Sequence, residues 1–363
     1  MIGGSDPGGN GSLRDARNMM KALVLNDYKR LAVESIPEPQ IQSDEVLIRV
    51  RSCGICGSDV HGFDGSSGRR IPPLIMGHEA AGEIAATGST VNRFEAGERV
   101  TFDSMISCRN CVFCRAGRPN LCEDRRVLGV SCEDYRRHGA FAEYVAVPEH
   151  IVYRVPEGVT FDEAAMVEPV SVAVHAVDRA DPSLGDTALV VGTGMIGLLT
   201  IQALRTAGCG RILAADLAVD RLTLAGELGA DDVIQTGDGI DLPAIVRERT
   251  GGLGADLVME AVGADATVSM SVDSVRKGGK VVLIGNITPT VSLGLQSVVT
   301  REIDVLGSCA SSNDYPACLE LMQRGKIRVL PVVSASVPLD RGPEMFDRLY
   351  AREPNLTKVI LRP

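Results

Sequence analysis

Thr187-Ala-Leu-Val-Val191-Gly192-Thr193-Gly194-Met195-Ile196-Gly197 decides the fold. Thr187–Val191 is a short apolar run that reads as a buried strand, and the apolar stretch Leu198–Ala207 behind it reads as a helix. Between them lies Gly-x-Gly-x-x-Gly, and the next strand, Arg211–Ala215, ends in Asp216, 24 positions after Gly192. Glycines there permit a tight turn and let a pyrophosphate approach the backbone at the helix N-terminus, where free N–H groups and the helix dipole favour anions. Asp216 is placed to accept hydrogen bonds from the adenosine ribose, and its charge would repel a 2′-phosphate. The pattern therefore predicts NAD rather than NADP. Arg221, five positions further on, is the candidate for a phosphate if one is bound instead.

Working outward, strands at Asp256–Glu260, Lys280–Gly285 and Ile303–Gly307, with helices between them, complete a Rossmann-type doubly wound parallel sheet over residues 175–308. Ahead of it, residues 20–174 read as short strands and turns: Ala22–Leu25, Glu45–Arg51, Ala80–Ala86, Arg99–Phe102 and Phe141–Val147. Pro37, Pro39, Pro72, Pro73 and Pro119 punctuate them, as in an irregular, mostly antiparallel β domain. Phe161–Ala180 has helical character, and Pro169 within it predicts a break or kink beside Glu168, at the hinge between the two domains. Residues 309–363 return to the first domain, with helices at Tyr315–Arg324 and Gly342–Ala351 and a closing strand at Thr357–Leu361. A chain of 363 residues is long enough for two such cores.

Composition excludes other classes. A net charge of −10 leaves no basic surface for nucleic acid or an anionic membrane. No stretch approaches the ~20 uninterrupted apolar residues of a membrane span. Residues 1–19 are Gly-rich and polar, which predicts a disordered leader; they lack an apolar signal core, so the expected location is cytoplasmic. Ten cysteines in such a chain point to metal rather than disulfides. Cys108, Cys111, Cys114 and Cys122 form Cys-x2-Cys-x2-Cys-x7-Cys, four thiolates that close a tetrahedral zinc without an open position, inside a lobe at 103–124. Arg109, Arg115 and Arg118 offset the charge of that centre.

Cys56 and His78 lie 22 positions apart and can share an ion only if the chain between them folds back. A catalytic zinc takes three protein groups from S, N and O donors and keeps one position open. The oxygen donors are Glu79, beside His78, and Glu168 at the hinge, with Glu168 expected within coordination distance or one water away and Glu79 able to exchange with it. Cys53, three residues before Cys56, reads as core.

Gly54-Ile-Cys56-Gly-Ser58-Asp59-Val-His61 and Gly77-His78-Glu79 resemble the zinc-containing medium-chain dehydrogenase/reductase family. Glu168-Pro-Val-Ser-Val and Thr300-Arg-Glu-Ile-Asp304 resemble its sorbitol and polyol branch, and the likeness runs from about residue 20 to the end. The resemblance implies a GroES-like catalytic domain joined to the Rossmann domain, one catalytic and one structural zinc per chain, and a homodimer or homotetramer. It implies a proton relay through Ser58 and His61, and Asp59 orienting His78. The activity implied is NAD-dependent oxidation of a secondary hydroxyl of a polyol or sugar-derived alcohol. A threonine-type amino-acid dehydrogenase and a nucleotide-binding member without chemistry are the other readings; intact Cys56, His78 and both carboxylates stand against the latter. Where the sorbitol branch places an aromatic and an Arg–Tyr pair, this chain has Gly62, Ala310 and Ser311. Sorbitol itself is therefore not the expected substrate. Arg69 and Arg70 lie in a polar loop that either is simply solvated or binds a phosphate or carboxylate by bidentate hydrogen bonds. The expected ligand is a small, hydrophilic alcohol with several hydroxyls, with or without an anionic group.

Overall fold

The computed structural model of this chain describes residues 19–132 and 135–363. The expected leader lies outside the described residues except for Met19, which already begins the strand Met19–Asp27.

Glu45–Gly54 is the central strand of the first domain. Val46, Ile48 and Val50 alternate into the core, as a half-buried strand requires. Six other strands share its sheet, in the order Val152–Arg154, Arg99–Phe102, Glu79–Thr87, Glu45–Gly54, Val359–Arg362 and Ala335–Pro338, with Tyr144–Pro148 also pairing on Glu45–Gly54. Two of these pairings build the site. Gly54 stands opposite Glu79 in the antiparallel ladder, so the chain leaving one strand towards Cys56 meets the chain entering the other from His78. Ile360 and Leu361 pair with Gly54 and Cys53, which brings Lys358 to the same end of the sheet. Cys53 is fully buried, as expected of a core residue.

The second sheet is six-stranded and parallel, in the order Asp232–Gln235, Arg211–Asp216, Thr187–Val191, Ala255–Glu260, Val275–Leu283 and Asp304–Gly307. Ala188, Leu189 and Val190 are wholly buried, because helices cover both faces. The order reverses beside Thr187–Val191, so the glycine-rich turn opens at the switch point where ligands of such sheets bind.

The helix expected over Phe161–Ala180 is two, Phe161–Ala165 and Val167–Ala180. They are separated at Met166 (φ −82°, ψ 0°), three residues before the proline expected to cause the break. Pro169 sits in the first turn of the second helix, where its missing N–H removes no intrahelical bond. Further on, Tyr315–Gln323 packs Tyr315, Cys318 and Leu319 among Val170, Ala173, Leu198 and Leu204, the core shared with the parallel sheet. Return to the first sheet comes with Ala335–Pro338 and Val359–Arg362.

Candidate active site and metal centres

Cys56 follows the central strand directly and is the N-cap of the short helix Gly57–Phe63. Its Sγ accepts the Ser58 amide at 3.4 Å, and Asp59 returns a carboxylate oxygen to the Cys56 amide at 3.2 Å, so a capping box fixes the thiol's direction. The other oxygen, Oδ1, lies 3.4 Å from His78 Nδ1, an electrostatic contact rather than an aligned hydrogen bond, since Nδ1 is buried without a hydrogen-bond partner. Burial disfavours the Asp59 carboxylate, but His78 and then Arg70 outweigh it and lower the carboxyl to about 2. Burial likewise disfavours a charged His78, yet the negative groups Asp59 and Cys56 raise it well above the usual imidazole range.

Cys56, His78 and Glu79 each offer a ligand atom, all within 4.8 Å of one another. Of the two candidate carboxylates, Glu79 is the one in this cluster. One of its oxygens, Oε2, is paired with the buried ammonium of Lys358, which also donates to the Ile55 carbonyl at 3.1 Å. The other, Oε1, is buried without a hydrogen-bond partner, the condition of an oxygen meant for a metal. Glu168 stands outside the three-residue cluster, in the first turn of Val167–Ala180 and only partly buried. It is near enough to feel the centre: burial, countered by His78 and reinforced by Glu79, raises its carboxyl to about 7. The thiolate, imidazole and carboxylate suit zinc with an open position.

The relay candidates differ in setting. Ser58 and His61 are both exposed on the helix, but the Ser58 hydroxyl is already an acceptor for Arg70 Nη2 at 3.1 Å. Arg70 corrects the expectation for the arginine pair. It is buried, and its nitrogens are spent on Ser58, on Asp59 Oδ1 (3.1 and 3.4 Å) and on the Arg69 carbonyl (3.2 Å). Only Arg69 remains exposed. Neither Arg70 nor Lys358 as site components could be read from the chain, since a cation in a polar loop or beside a strand normally faces water.

Cys108, Cys111, Cys114 and Cys122 form the second cluster of metal-ligating groups among the described residues, again within 4.8 Å of one another. Backbone amides point at the sulfurs: Cys122 Sγ accepts Cys108 N at 3.2 Å, and Cys108 Sγ accepts Asn110 N and Cys111 N at 3.4 and 3.3 Å. Amides of Cys114 and Glu123 lower the Cys111 thiol to about 6, while burial pushes Cys122 up to about 12. Four converging thiols with amide donors fit a closed zinc site. The lobe rests on the segment after the second sheet, through Asn120 Nδ2 to the Cys309 carbonyl at 3.0 Å.

The glycine-rich turn is shaped for a cofactor. Gly192 takes φ +90°, and a Cβ at Gly197 would stand 1.9 Å from the Gly192 carbonyl oxygen, so helix and strand close only on glycine. A Cβ at Gly194, the N-cap of Met195–Ala207, would meet nothing within 4 Å, which leaves space at the helix N-terminus beside Met195 and Ile196. Asp216 ends its strand with Oδ2 on the Thr193 amide (2.7 Å) and Oδ1 on the Ala218 amide (2.9 Å). Thr193 Oγ1 is buried without a partner, and Arg221 is exposed on the following helix. These features fit a dinucleotide.

Residues 42–157 match the alcohol dehydrogenase GroES-like domain family and residues 196–324 the zinc-binding dehydrogenase family. The chain is 34% identical to a sorbitol dehydrogenase of Bacillus subtilis, over 95% of this chain and 97% of that protein. It is 35% identical to an L-idonate 5-dehydrogenase of Vitis vinifera, over 92% and 91%. A crystal structure of a zinc-binding dehydrogenase from Sinorhizobium meliloti bound to NADP superposes with a TM-score of 0.87 at 32% identity, covering 95% of this chain and 99% of that one.

Proposed function

This chain belongs to the zinc-binding alcohol dehydrogenase family, and on that basis we propose that it oxidises a secondary hydroxyl of a polyol or sugar-derived alcohol to the ketone with NAD. The observation that carries the reading is the convergence of Cys56, His78 and Glu79 ligand atoms within 4.8 Å of one another, with one Glu79 oxygen buried without a partner. Cys56, His78 and Glu79 would hold the catalytic zinc, with Glu168 close enough to take part in its charge balance. Cys108, Cys111, Cys114 and Cys122 would hold the structural one. Bound there, zinc supplies Lewis acidity that lowers the pKa of a substrate hydroxyl, and NAD accepts the hydride from the carbinol carbon.

The protein's own groups do the rest. Asp59 keeps the His78 ring aligned. Ser58 would accept the substrate's proton while giving its own onward, and His61, exposed at the helix end, would carry the released proton to solvent. Amides of Gly192–Gly197 receive the pyrophosphate, and Asp216 the ribose. Asp216 supports NAD, whereas the Sinorhizobium relative was solved with NADP. Arg221 is then the residue proposed for a phosphate. Idonate, the sugar acid in the name of the Vitis relative, is a carboxylate, which supports an anionic group on the substrate at the exposed Arg69. Assembly as a homodimer or homotetramer is part of the proposal: Ile287, Leu293, Leu295 and Val299 are exposed just ahead of the edge strand Asp304–Gly307. So is a cytoplasmic location, which suits the nine cysteines that form no disulfide among the described residues.

Metal analysis tests the reading. Two zincs per chain are expected, falling to one in Cys56→Ser. A protein that binds NAD but holds only the zinc of the Cys108–Cys122 lobe would be a nucleotide-binding member without dehydrogenase chemistry.

A further inference from the structure

Gly62 is the last residue but one of the short helix Gly57–Phe63, and its φ is not positive, so no backbone conformation demands a glycine. Space does. A Cβ there would stand 2.1 Å from Arg70 Cγ and 2.9 Å from Arg70 Cβ. The missing side chain lets the stem of Arg70 lie across the helix, and the guanidinium arrives buried beneath Ser58 and Asp59.

We propose that Arg70 is a positioning residue for the dehydrogenase reaction, fixing the Ser58 hydroxyl and the Asp59–His78 contact with one guanidinium in the room Gly62 leaves open. The inference rests on the dehydrogenase reading above. A serine hydroxyl has one hydrogen and two lone pairs, and a guanidinium can only donate. Arg70 Nη2, 3.1 Å from Ser58 Oγ, therefore occupies one lone pair. What remains is one acceptor and one donor, one for the substrate hydroxyl and one for the onward group, with the rotor no longer free. The same Nη2 is 3.1 Å from Asp59 Oδ1, the oxygen 3.4 Å from His78 Nδ1. Arg70 so links the proton-accepting hydroxyl to the carboxylate that aligns the imidazole. With Nη1 on the Arg69 carbonyl, all three nitrogens are engaged within the protein, and Arg70 does not bind substrate anions.

Arg70→Ala, Arg70→Lys and Gly62→Ala test this. In Arg70→Ala, kcat should fall ~10- to ~100-fold, the range for a residue that orients a reacting group, while KM for NAD stays within about 2-fold and zinc content is unchanged. Added guanidinium should recover part of kcat in Arg70→Ala and none in Gly62→Ala, where the arginine is present but displaced. Arg70→Lys, a single point charge, should recover less than guanidinium restores. With cobalt(II) in place of zinc, the visible spectrum of Arg70→Ala should shift, because Asp59 no longer holds His78 as before. Wild-type kcat and a superimposable cobalt spectrum in Arg70→Ala would overturn the proposal; should that variant be insoluble, the same two results in Gly62→Ala would. If the wild-type protein oxidises no alcohol, the dehydrogenase reading fails separately, and an unshifted cobalt spectrum still decides against Arg70.

Discussion

Asp216 carries two hydrogen bonds from its own fold, Thr193 N on Oδ2 and Ala218 N on Oδ1, so its carboxylate is aimed before any cofactor arrives. Asp216→Asn keeps one oxygen acceptor and removes the charge. The NAD-to-NADP ratio of kcat/KM should fall about 10-fold or more, roughly 1.4 kcal/mol of discrimination. A wild-type enzyme that already prefers NADP would contradict the role given to Asp216 and direct attention to Arg221. At the metal cluster, Cys56→Ser or His78→Ala should abolish NAD reduction yet leave the thermal midpoint within a few degrees, because a cleft ligand does not hold the core. The ion pair under the cluster behaves differently. In the zinc-stripped protein, Lys358→Met would leave a fully buried Glu79 carboxylate without its counter-charge, and loss of one partner from such a pair costs about 3–5 kcal/mol, read as a lower urea midpoint. An unchanged midpoint would contradict the role given to this ion pair.

Among the elements, the Cys108–Cys122 lobe should respond to substitution differently from the cleft. Cys111→Ser opens a closed four-thiol site, so soluble yield and thermal midpoint should drop together with activity. Equal effects of Cys111→Ser and Cys56→Ser on yield would erase the distinction between structural and catalytic centres. The Cys108–Cys122 spacing and the Gly192–Gly197 turn were legible in the chain, because short knuckles and a strand–turn–helix are local. The strands bearing apolar alternation were legible too, and Arg99–Phe102 and Thr187–Val191 have the expected ends. What spacing could not show depends on three-dimensional register. The helix breaks at Met166 and not at Pro169, since a proline in a first helical turn is harmless, and Glu79 rather than Glu168 joins the Cys56–His78 cluster through the Gly54–Glu79 pairing. Arg70 was hidden for the same reason, since its burial depends on a glycine eight positions away.

For the molecule as a whole, stability should carry the mark of Asp103, buried where Arg99–Phe102 ends. Burial, against the Met105 amide that its Oδ1 accepts at 2.9 Å, raises this carboxyl to about 7 from an ordinary 3.8. A folded-state value above the unfolded one means the native protein binds the proton more tightly. Its contribution is thus full below about 4 and lost as pH rises through about 7. Asp103→Asn stays neutral and keeps the oxygen for Met105, so it should be more stable than wild type above pH ~7, by up to a few kcal/mol, and lose that advantage near pH ~4. A difference that does not vary with pH would show that Asp103 is already ionised in the fold.

The central claim, that the Cys56–His78–Glu79 centre and the Asp216 cofactor site together oxidise a hydrophilic secondary alcohol, is tested most directly by kcat/KM for NAD reduction. The panel should hold polyols, sugars, sugar acids, sugar phosphates, threonine and simple alcohols. The account predicts the highest value for a polyol or sugar-derived substrate with a secondary hydroxyl. A higher value for ethanol or benzyl alcohol than for every polyol, sugar, sugar acid and sugar phosphate, or a clear preference for threonine, would contradict it.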